Sequence, residues 1–342
     1  MQIENDEFLK RLLIQEATFL TTKEKLILLK ATSDFEELKN FSLTQISFIV
    51  KRNLSRASWN GNESYKKVLL SQKIFSSYGI KCVFFDEIEF PSLLKEINDP
   101  PFVLFYRGNL ACLEEKCVSI VGTRRASASG IKAAFNFAKD ASDENYTVIS
   151  GLAFGIDVFS HKGSLQGKSA RTVAVLPCGI DCVVPSSNKS VAKKILENDG
   201  LLLSEYPPLT PAAPFRYVQR NRIIAGLSSS TVVIQSPCGG GAMITADFAL
   251  NYNRFVFFHS ACFDDESQML NEEAKKRFNK IAAKSKHDSK KMQNKMLLSP
   301  QSFVEDGAIV VHNWQEFVDS FANETFSVNS KKNKVKQIDL FN

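Results

Sequence analysis

The chain has 342 residues, 44% hydrophobic and 23% charged, with a formal net charge of +6. That length allows two or three domains with sizeable cores, and so mild a basic excess excludes a histone-like binder, so the clustering of charge matters more than its total. Seven cysteines without framework spacing point to a reducing, cytoplasmic setting, no apolar run approaches the ~20 residues of a membrane helix, and the acidic start (Glu4, Asp6, Glu7) argues against a secretory signal.

Residues 1–80 read as helices. Phe8-Leu9, Leu12-Leu13, Leu26, Leu28-Leu29, Phe48-Ile49 and Leu69-Leu70 recur at helical spacings among polar residues. Thr21-Thr22 and Ser33-Asp34 are helix-capping candidates. A helix-hairpin-helix DNA module needs a glycine-rich hairpin, and no glycine precedes Gly61. A packing or dimerisation module is the favoured reading, a degenerate DNA module the alternative.

From Lys81 the period changes. Apolar runs at 83–85, 103–105, 117–121, 147–149, 172–176, 201–203, 231–234, 255–258 and 308–311 alternate with amphipathic stretches at 130–141, 156–165, 190–198, 242–251 and 314–321. Near-continuous apolar strands alternating with helices predict an α/β fold over 81–322, a mostly parallel sheet with helices on both faces. Ligands of such sheets bind outside the carboxyl ends of the strands.

Three small-residue or basic turns leave strand ends there. Gly122-Thr123-Arg124-Arg125 follows 117–121, Ser150-Gly151-Leu152-Ala153-Phe154-Gly155 follows 147–149, and Cys238-Gly239-Gly240-Gly241 comes just after 231–234. A fourth segment, Phe215 to Arg222, carries Arg216, Arg220 and Arg222 beside Phe215 and Tyr217. Alone it could be a helix start with solvated arginines. With the three turns it implies one crevice for a ligand that is both a polyanion and a stack of flat bases.

Residues 262–300 break the strand-helix alternation. Between Ala274 and Met296 stand nine Lys or Arg and one Asp, which reads as a solvated helix or loop, with an auxiliary phosphate contact as the second reading. Residues 323–342 have few apolar side chains and four lysines between Lys331 and Lys336, so a flexible tail is expected.

Several enzymatic readings fail. Gly167-Lys168-Ser169 mimics the end of a P-loop, but Lys162 stands where the upstream glycine is required. The dinucleotide fingerprint is missing after 117–121, because Gly122 is followed by Arg124 rather than glycine. Asp157 and His161 share one side of a helix, and a capping carboxylate beside a hydrogen-bonded histidine accounts for them. Cys178 and Cys182 lack a second pair or a nearby histidine, so zinc is not expected there, and no motif calls for another metal or a cofactor. No paired carboxylates or Ser-His-Asp order emerges.

Taken together, Gly122-Thr123-Arg124, Ser150-Gly151-Leu152-Ala153-x-Gly155-Ile156-Asp157-x3-His161, Gly179-Ile180-Asp181-x3-Pro185-x2-Asn188, Ser204-Glu205-Tyr206-Pro207-Pro208 and Phe215-x4-Arg220-Asn221-Arg222-Ile223-Ile224-Ala225-Gly226 resemble the DNA-processing protein A family (DprA/Smf). Asp99-Pro100-Pro101-x2-Leu104-Phe105-Tyr106-x-Gly108 and Ile244-Thr245-Ala246 agree. The likeness runs through residues 85–258 and resumes near 302–311. It implies a Rossmann-like domain that binds single-stranded DNA without cutting it and passes it to the RecA recombinase during natural transformation, as a homodimer. The chain departs from the pattern after 255–258, where His259-Ser260-Ala261-Cys262 and the basic insertion replace a short glycine-rich connection, and at Gly239-Gly240-Gly241, which replaces a Ser-Gly-Ser turn.

The expected DNA contacts are therefore Gly122, Thr123, Arg124, Arg125, Ser150, Gly151, Gly155, Lys162, Phe215, Tyr217, Arg220, Asn221, Arg222, Gly239, Gly240 and Gly241. Arginine side chains, with Lys162 or Lys168 as weaker candidates, would meet phosphates. The amides of Gly151, Gly240 and Gly241 would cradle others, helped by helix starts at Gly155 and Ala242. Phe215 or Tyr217 would stack a base. The alternative on the same fold is a nucleotide-processing, phosphoribohydrolase-like enzyme, but Thr245 stands near the place of the glutamate it needs. The chain ends Gln337-Ile338-Asp339-Leu340-Phe341, which resembles the bacterial sliding-clamp-binding motif, with Gln337, Leu340 and Phe341 as its contacts.

Overall fold

A computed structural model describes residues 6–283 and 286–325. The tail contacts Gln337, Leu340 and Phe341 lie outside the described residues. Five helices come first: α1 (Asp6–Gln15), α2 (Thr22–Ala31), α3 (Phe35–Asn40), α4 (Leu43–Val50) and α5 (Gly61–Tyr78). The starts of α2 and α3 follow the capping chemistry read from the sequence. The Thr21 hydroxyl accepts from the Glu24 amide while the Glu24 carboxylate accepts from the Thr21 amide, a reciprocal box. Asp34 caps α3 by a single bond, its carboxylate accepting from the Glu37 amide at 2.8 Å. Leu12, Leu13, Leu28, Leu38 and Ile46, all on these helices, join a core with Ala174 and Leu202 of the sheet. The helical segment therefore shares its hydrophobic burial with the α/β part.

The sheet has nine strands among the described residues, ordered β1-β2-β6-β5-β4-β3-β7-β8-β9. They are β1 (Lys81–Phe84), β2 (Val103–Gly108), β3 (Cys117–Gly122), β4 (Thr147–Ser150), β5 (Thr172–Val175), β6 (Leu201–Ser204), β7 (Ser230–Gln235), β8 (Phe255–His259) and β9 (Ile309–Val311). Only β2 runs antiparallel to its neighbours, β1 and β6; the β6-to-β9 part is parallel throughout. The connecting helices are α6 (Ser92–Lys95), α7 (Ala128–Asp143), α8 (Ile156–Ser164), α9 (Lys189–Glu197), α10 (Pro214–Gly226), α11 (Gly241–Asn251), α12 (Asp265–Ala282), α13 (Lys286–Leu297) and α14 (Pro300–Glu305), followed by helix over 314–325.

Alternation along the strands divides the core. Val121, Ile149, Val173, Leu203 and Val233 pack with Ile223 and Ile224 of α10 and Ala246 of α11 on one face. Val118, Ile120, Val148, Val232 and Ile234 pack with Phe137 of α7 and Trp314 and Phe317 on the other. Every residue of β4, β5, β6 and β7 is buried, which is why those runs read as continuously apolar.

The sheet order fixes where a ligand goes. From β3 the chain winds outward through β4, β5 and β6, then returns to the opposite side of β3 with β7. The connections after β3 and β7 therefore diverge, and the crevice between their carboxyl ends is the topological switch point.

The basic insertion is helical. After β8, α12 and α13 form a hairpin in which Ala274, Phe278 and Met292 bury themselves against Cys238 of the β7 turn. It is anchored on the site-bearing edge of the sheet.

Candidate nucleic-acid interface

A cavity of about 600 Å³ opens at the switch point. Its walls are the turn after β3 (Gly122, Thr123, Arg124, Arg125), one side of α10 (Tyr217, Arg220, Asn221), and the start of α11 (Gly240, Gly241, Ala242). A fourth wall comes from α12, with Leu270, Glu273, Ala274 and Arg277. Four arginines against two carboxylates, Asp157 and Glu273, make the lining cationic.

The sequence places these groups by local means. The Thr123 amide donates to the Gln235 carbonyl at 2.7 Å, tying the β3 turn to the end of β7. Helix α10 starts with Pro214 in its first turn, where the missing N–H costs nothing. Arg220 and Tyr217, three residues apart, then project along one side of it. Helix α11 begins without a side-chain cap at Gly240, and its first residues line the cavity, so its positive end is open to an anion.

Arg124 is exposed, and its guanidinium carbon sits 4.6 Å from the centroid of the Tyr217 ring. One face of that ring is thus covered by a cation–π contact, and the pair forms a flat, charged platform. Among the described residues Arg124 makes no ion pair. Asn221 donates to the Gly241 carbonyl at 3.2 Å, bridging α10 to the start of α11.

Beneath the platform lies a buried polar group. Arg220 is 2% exposed and donates from Nη1 to the Val175 carbonyl at 2.7 Å, while its Nε has no protein partner. Burial pushes its guanidinium below the ordinary value, and the Asp157 carboxylate pulls it back up. Burial raises the Asp157 carboxyl, opposed by the Arg220 charge and by backbone hydrogen bonds at Ala153 and Gly122. His161 is fully buried, its Nδ1 paired with the Thr172 hydroxyl at 2.7 Å. Burial, with the Arg220 charge adding to it, holds its pKa down to about 3, so the ring is neutral.

Several expected contacts are engaged elsewhere. Ser150 is fully buried and donates to the Ile120 carbonyl at 2.6 Å, a bond inside the sheet. Gly151 leaves room for Arg220: a Cβ there would lie 1.8 Å from Arg220 Nη1. Gly155, at φ 72°, turns the chain tightly against the β3 turn. The amide that follows it, at Ile156, donates to the Thr123 carbonyl at 3.2 Å, not to a ligand. Arg222 is bound by two carboxylates, Asp99 at 2.8 Å and Glu205 at 2.7 Å, with its side chain 11% exposed. The amides of Gly239 and Gly240 donate to the Leu298 and Pro237 carbonyls at 2.7 and 3.1 Å, which removes Gly240 from the expected phosphate donors. Lys162, over the Phe159 ring at 4.5 Å, Lys168 and Phe215 are exposed but lie outside the cavity lining.

The cavity thus gathers Gly122, Thr123, Arg124, Arg125, Tyr217, Arg220, Asn221, Gly240 and Gly241. Sequence reasoning offered the insertion a phosphate contact only as a second reading and named no residue of the wall made by α12. Its one signal was the density of basic residues interrupting the strand-helix alternation after β8.

The family model for DNA recombination-mediator protein A matches residues 81–320. The chain is 30% identical over 260 residues to protein Smf of Borreliella burgdorferi, an alignment covering 75% of this chain and 80% of that one. It is 38% identical over 168 residues to DNA processing protein DprA of Streptococcus pneumoniae, covering 49% of this chain and 58% of that relative. The crystal structure of the Streptococcus pneumoniae protein superimposes with a TM-score of 0.64 at 25% identity, covering 92% of this chain and 98% of that one. The Helicobacter pylori DNA processing protein A, whose structure was described for its single-stranded DNA binding mode, superimposes with a TM-score of 0.54 at 22% identity, covering 73% and 98%. No described helix is long and apolar enough to cross a membrane.

Proposed function

The chain belongs to the DNA recombination-mediator protein A family, and from that premise we propose that it binds single-stranded DNA in the switch-point cavity and delivers it to the RecA recombinase without breaking a bond. The observation that carries this reading is the Arg124–Tyr217 platform over the buried Arg220, at the open start of α11. Guanidinium groups and helix-start amides meet phosphates, while the aromatic ring takes a base face, worth roughly 1–3 kcal/mol. Duplex DNA hides its base faces in the stack, so the platform selects single strands.

A cavity of this size holds only a few nucleotides, so a longer track requires a second copy of the chain. Homodimerisation and action in DNA uptake are parts of the same proposal, as is a cytoplasmic setting. The titratable groups beneath the platform do structural work: Asp157 offsets Arg220, and His161 is neutral and hydrogen-bonded. That supports a binder over a nucleotide-processing enzyme. We also propose that the segment ending Gln337-Ile338-Asp339-Leu340-Phe341 docks on the sliding clamp, Leu340 and Phe341 filling an apolar pocket.

The direct test is a fluorescence anisotropy titration with labelled single-stranded and duplex oligonucleotides at graded salt. Arg124→Ala weakens single-strand binding and flattens its salt dependence, and duplex affinity stays low. Equal affinity for both forms refutes the stacking part, and an Arg124→Ala protein that binds like the parent refutes the site.

A further inference from the structure

Two backbone amides of the turn after β7, those of Cys238 and Gly239, are occupied by the insertion and closed to a phosphate. The Cys238 amide donates to Asn271 Oδ1 of α12 at 2.7 Å, and the Gly239 amide donates to the Leu298 carbonyl just beyond α13 at 2.7 Å. A Cβ on Gly239 would stand 2.9 Å from the Phe278 ring and from the Lys295 carbonyl, so the hairpin sits hard on the turn. Its other end is tied down as well. The Ser129 hydroxyl lies within hydrogen-bond distance of two carboxylates, Asp264 at 2.7 Å and Glu266 at 2.8 Å, which holds the start of α12 beside the start of α7. Helix α12 is a built wall of the cavity.

That wall brings its own charge. Arg277 lines the cavity with its guanidinium carbon 5.4 Å from the centroid of the adjacent Phe278 ring. Lys275, two residues away, is paired with Glu272 at 3.0 Å, whereas Arg277 makes no ion pair among the described residues. Its guanidinium is available to a ligand, and Phe278, buried in the hairpin core, steadies it.

We propose that Arg277 is a backbone-phosphate contact of the bound strand, supplied by the insertion in place of the occupied turn amides. With Arg124 on another wall it makes a two-sided arginine clamp, so the strand passes between the sheet edge and α12. This rests on the single-strand reading of the cavity and adds a residue from a segment outside the motifs that carried that reading.

The test uses the full chain and a fluorescein-labelled oligothymidylate 20-mer, with affinity measured across a salt series. Each phosphate contact on a single strand contributes about 0.7 to the slope of log affinity against log salt. Arg277→Ala lowers the slope by that amount, as Arg124→Ala does, while Lys276→Ala, an equal loss of charge on the same helix away from the cavity, leaves it unchanged. Arg277→Lys keeps the charge and retains the slope. Two results overturn the clamp: Arg277→Ala indistinguishable from Lys276→Ala while Arg124→Ala falls, or Arg277→Lys losing as much as Arg277→Ala, which marks a packing role. Failure of Arg124→Ala to change binding refutes the cavity reading itself.

Discussion

Arg222 and Arg124 look alike in the sequence, and the structure separates them. The Arg222 side chain is 11% exposed and the Glu205 side chain 15%, with 2.7 Å between Nη2 and the carboxylate oxygen. Asp99, on the other branch at 2.8 Å, is 67% exposed. Replacing Arg222 by Met therefore strands the Glu205 charge in a largely dry site, and breaking a buried pair by removing one partner costs about 3–5 kcal/mol. Removing Asp99, at the wet end, costs at most about 1 kcal/mol. Urea unfolding followed by circular dichroism measures both, and Arg222→Met/Glu205→Leu recovers part of the loss because no unpaired charge is left behind. Below the unfolding transition, Arg222→Met retains the parent's affinity for single-stranded DNA. An Arg222→Met protein with an unchanged urea midpoint and weakened DNA binding refutes this reasoning and returns Arg222 to the interface.

Gly151→Ala puts a methyl group where Arg220 Nη1 lies, and this overpacking is expected to cost about 1–3 kcal/mol in urea unfolding; an unchanged midpoint means that Arg220 has another place to go. Tyr217→Leu keeps bulk and loses the platform, so single-strand affinity falls by roughly 1–3 kcal/mol in the anisotropy assay, and equal binding shows that no base stacks there. His161, held down to about 3 in the folded chain against an ordinary value near 6.5, stays neutral folded and gains a proton when unfolded. Its contribution is complete above pH 6.5 and is lost as pH falls toward 3, at about 1.4 kcal/mol per unit. Urea midpoints between pH 7 and 4 fall less steeply for His161→Asn, and parallel curves count against the buried neutral ring. A labelled peptide of residues 331–342 binds purified sliding clamp, and the Leu340→Ala/Phe341→Ala peptide does not; equal binding by the two peptides excludes a clamp motif.

The sequence alone determined the layered α/β sheet, because strands buried on both faces have apolar centres, and β4 to β7 carry them at Val148-Ile149, Val173-Ala174-Val175, Leu201-Leu202-Leu203 and Val232-Val233-Ile234. It also placed the β3 turn, Tyr217, Arg220 and the start of α11 at one edge, since strand-end turns of a parallel sheet converge there. Local capping at Thr21 and Asp34 was equally legible, depending on residues three apart. What it could not supply was the allocation of partners. Arg220 and Arg222 differ by two positions on α10, about 200° around the helix, so one turns toward the cavity floor and the other toward Asp99 and Glu205, carboxylates 123 and 17 residues away. Gly151 was read as a phosphate cradle, and only the fold shows that its missing side chain also makes the space that Arg220 fills. The insertion read as a run of solvated charge because its few large apolar residues, Phe278 and Met292 among them, meet one another and Cys238 of the β7 turn only once α12 and α13 fold into a hairpin. Tertiary structure decided these cases because hydrogen-bond donors and buried charges take the nearest acceptor in space, and no sequence spacing encodes that distance.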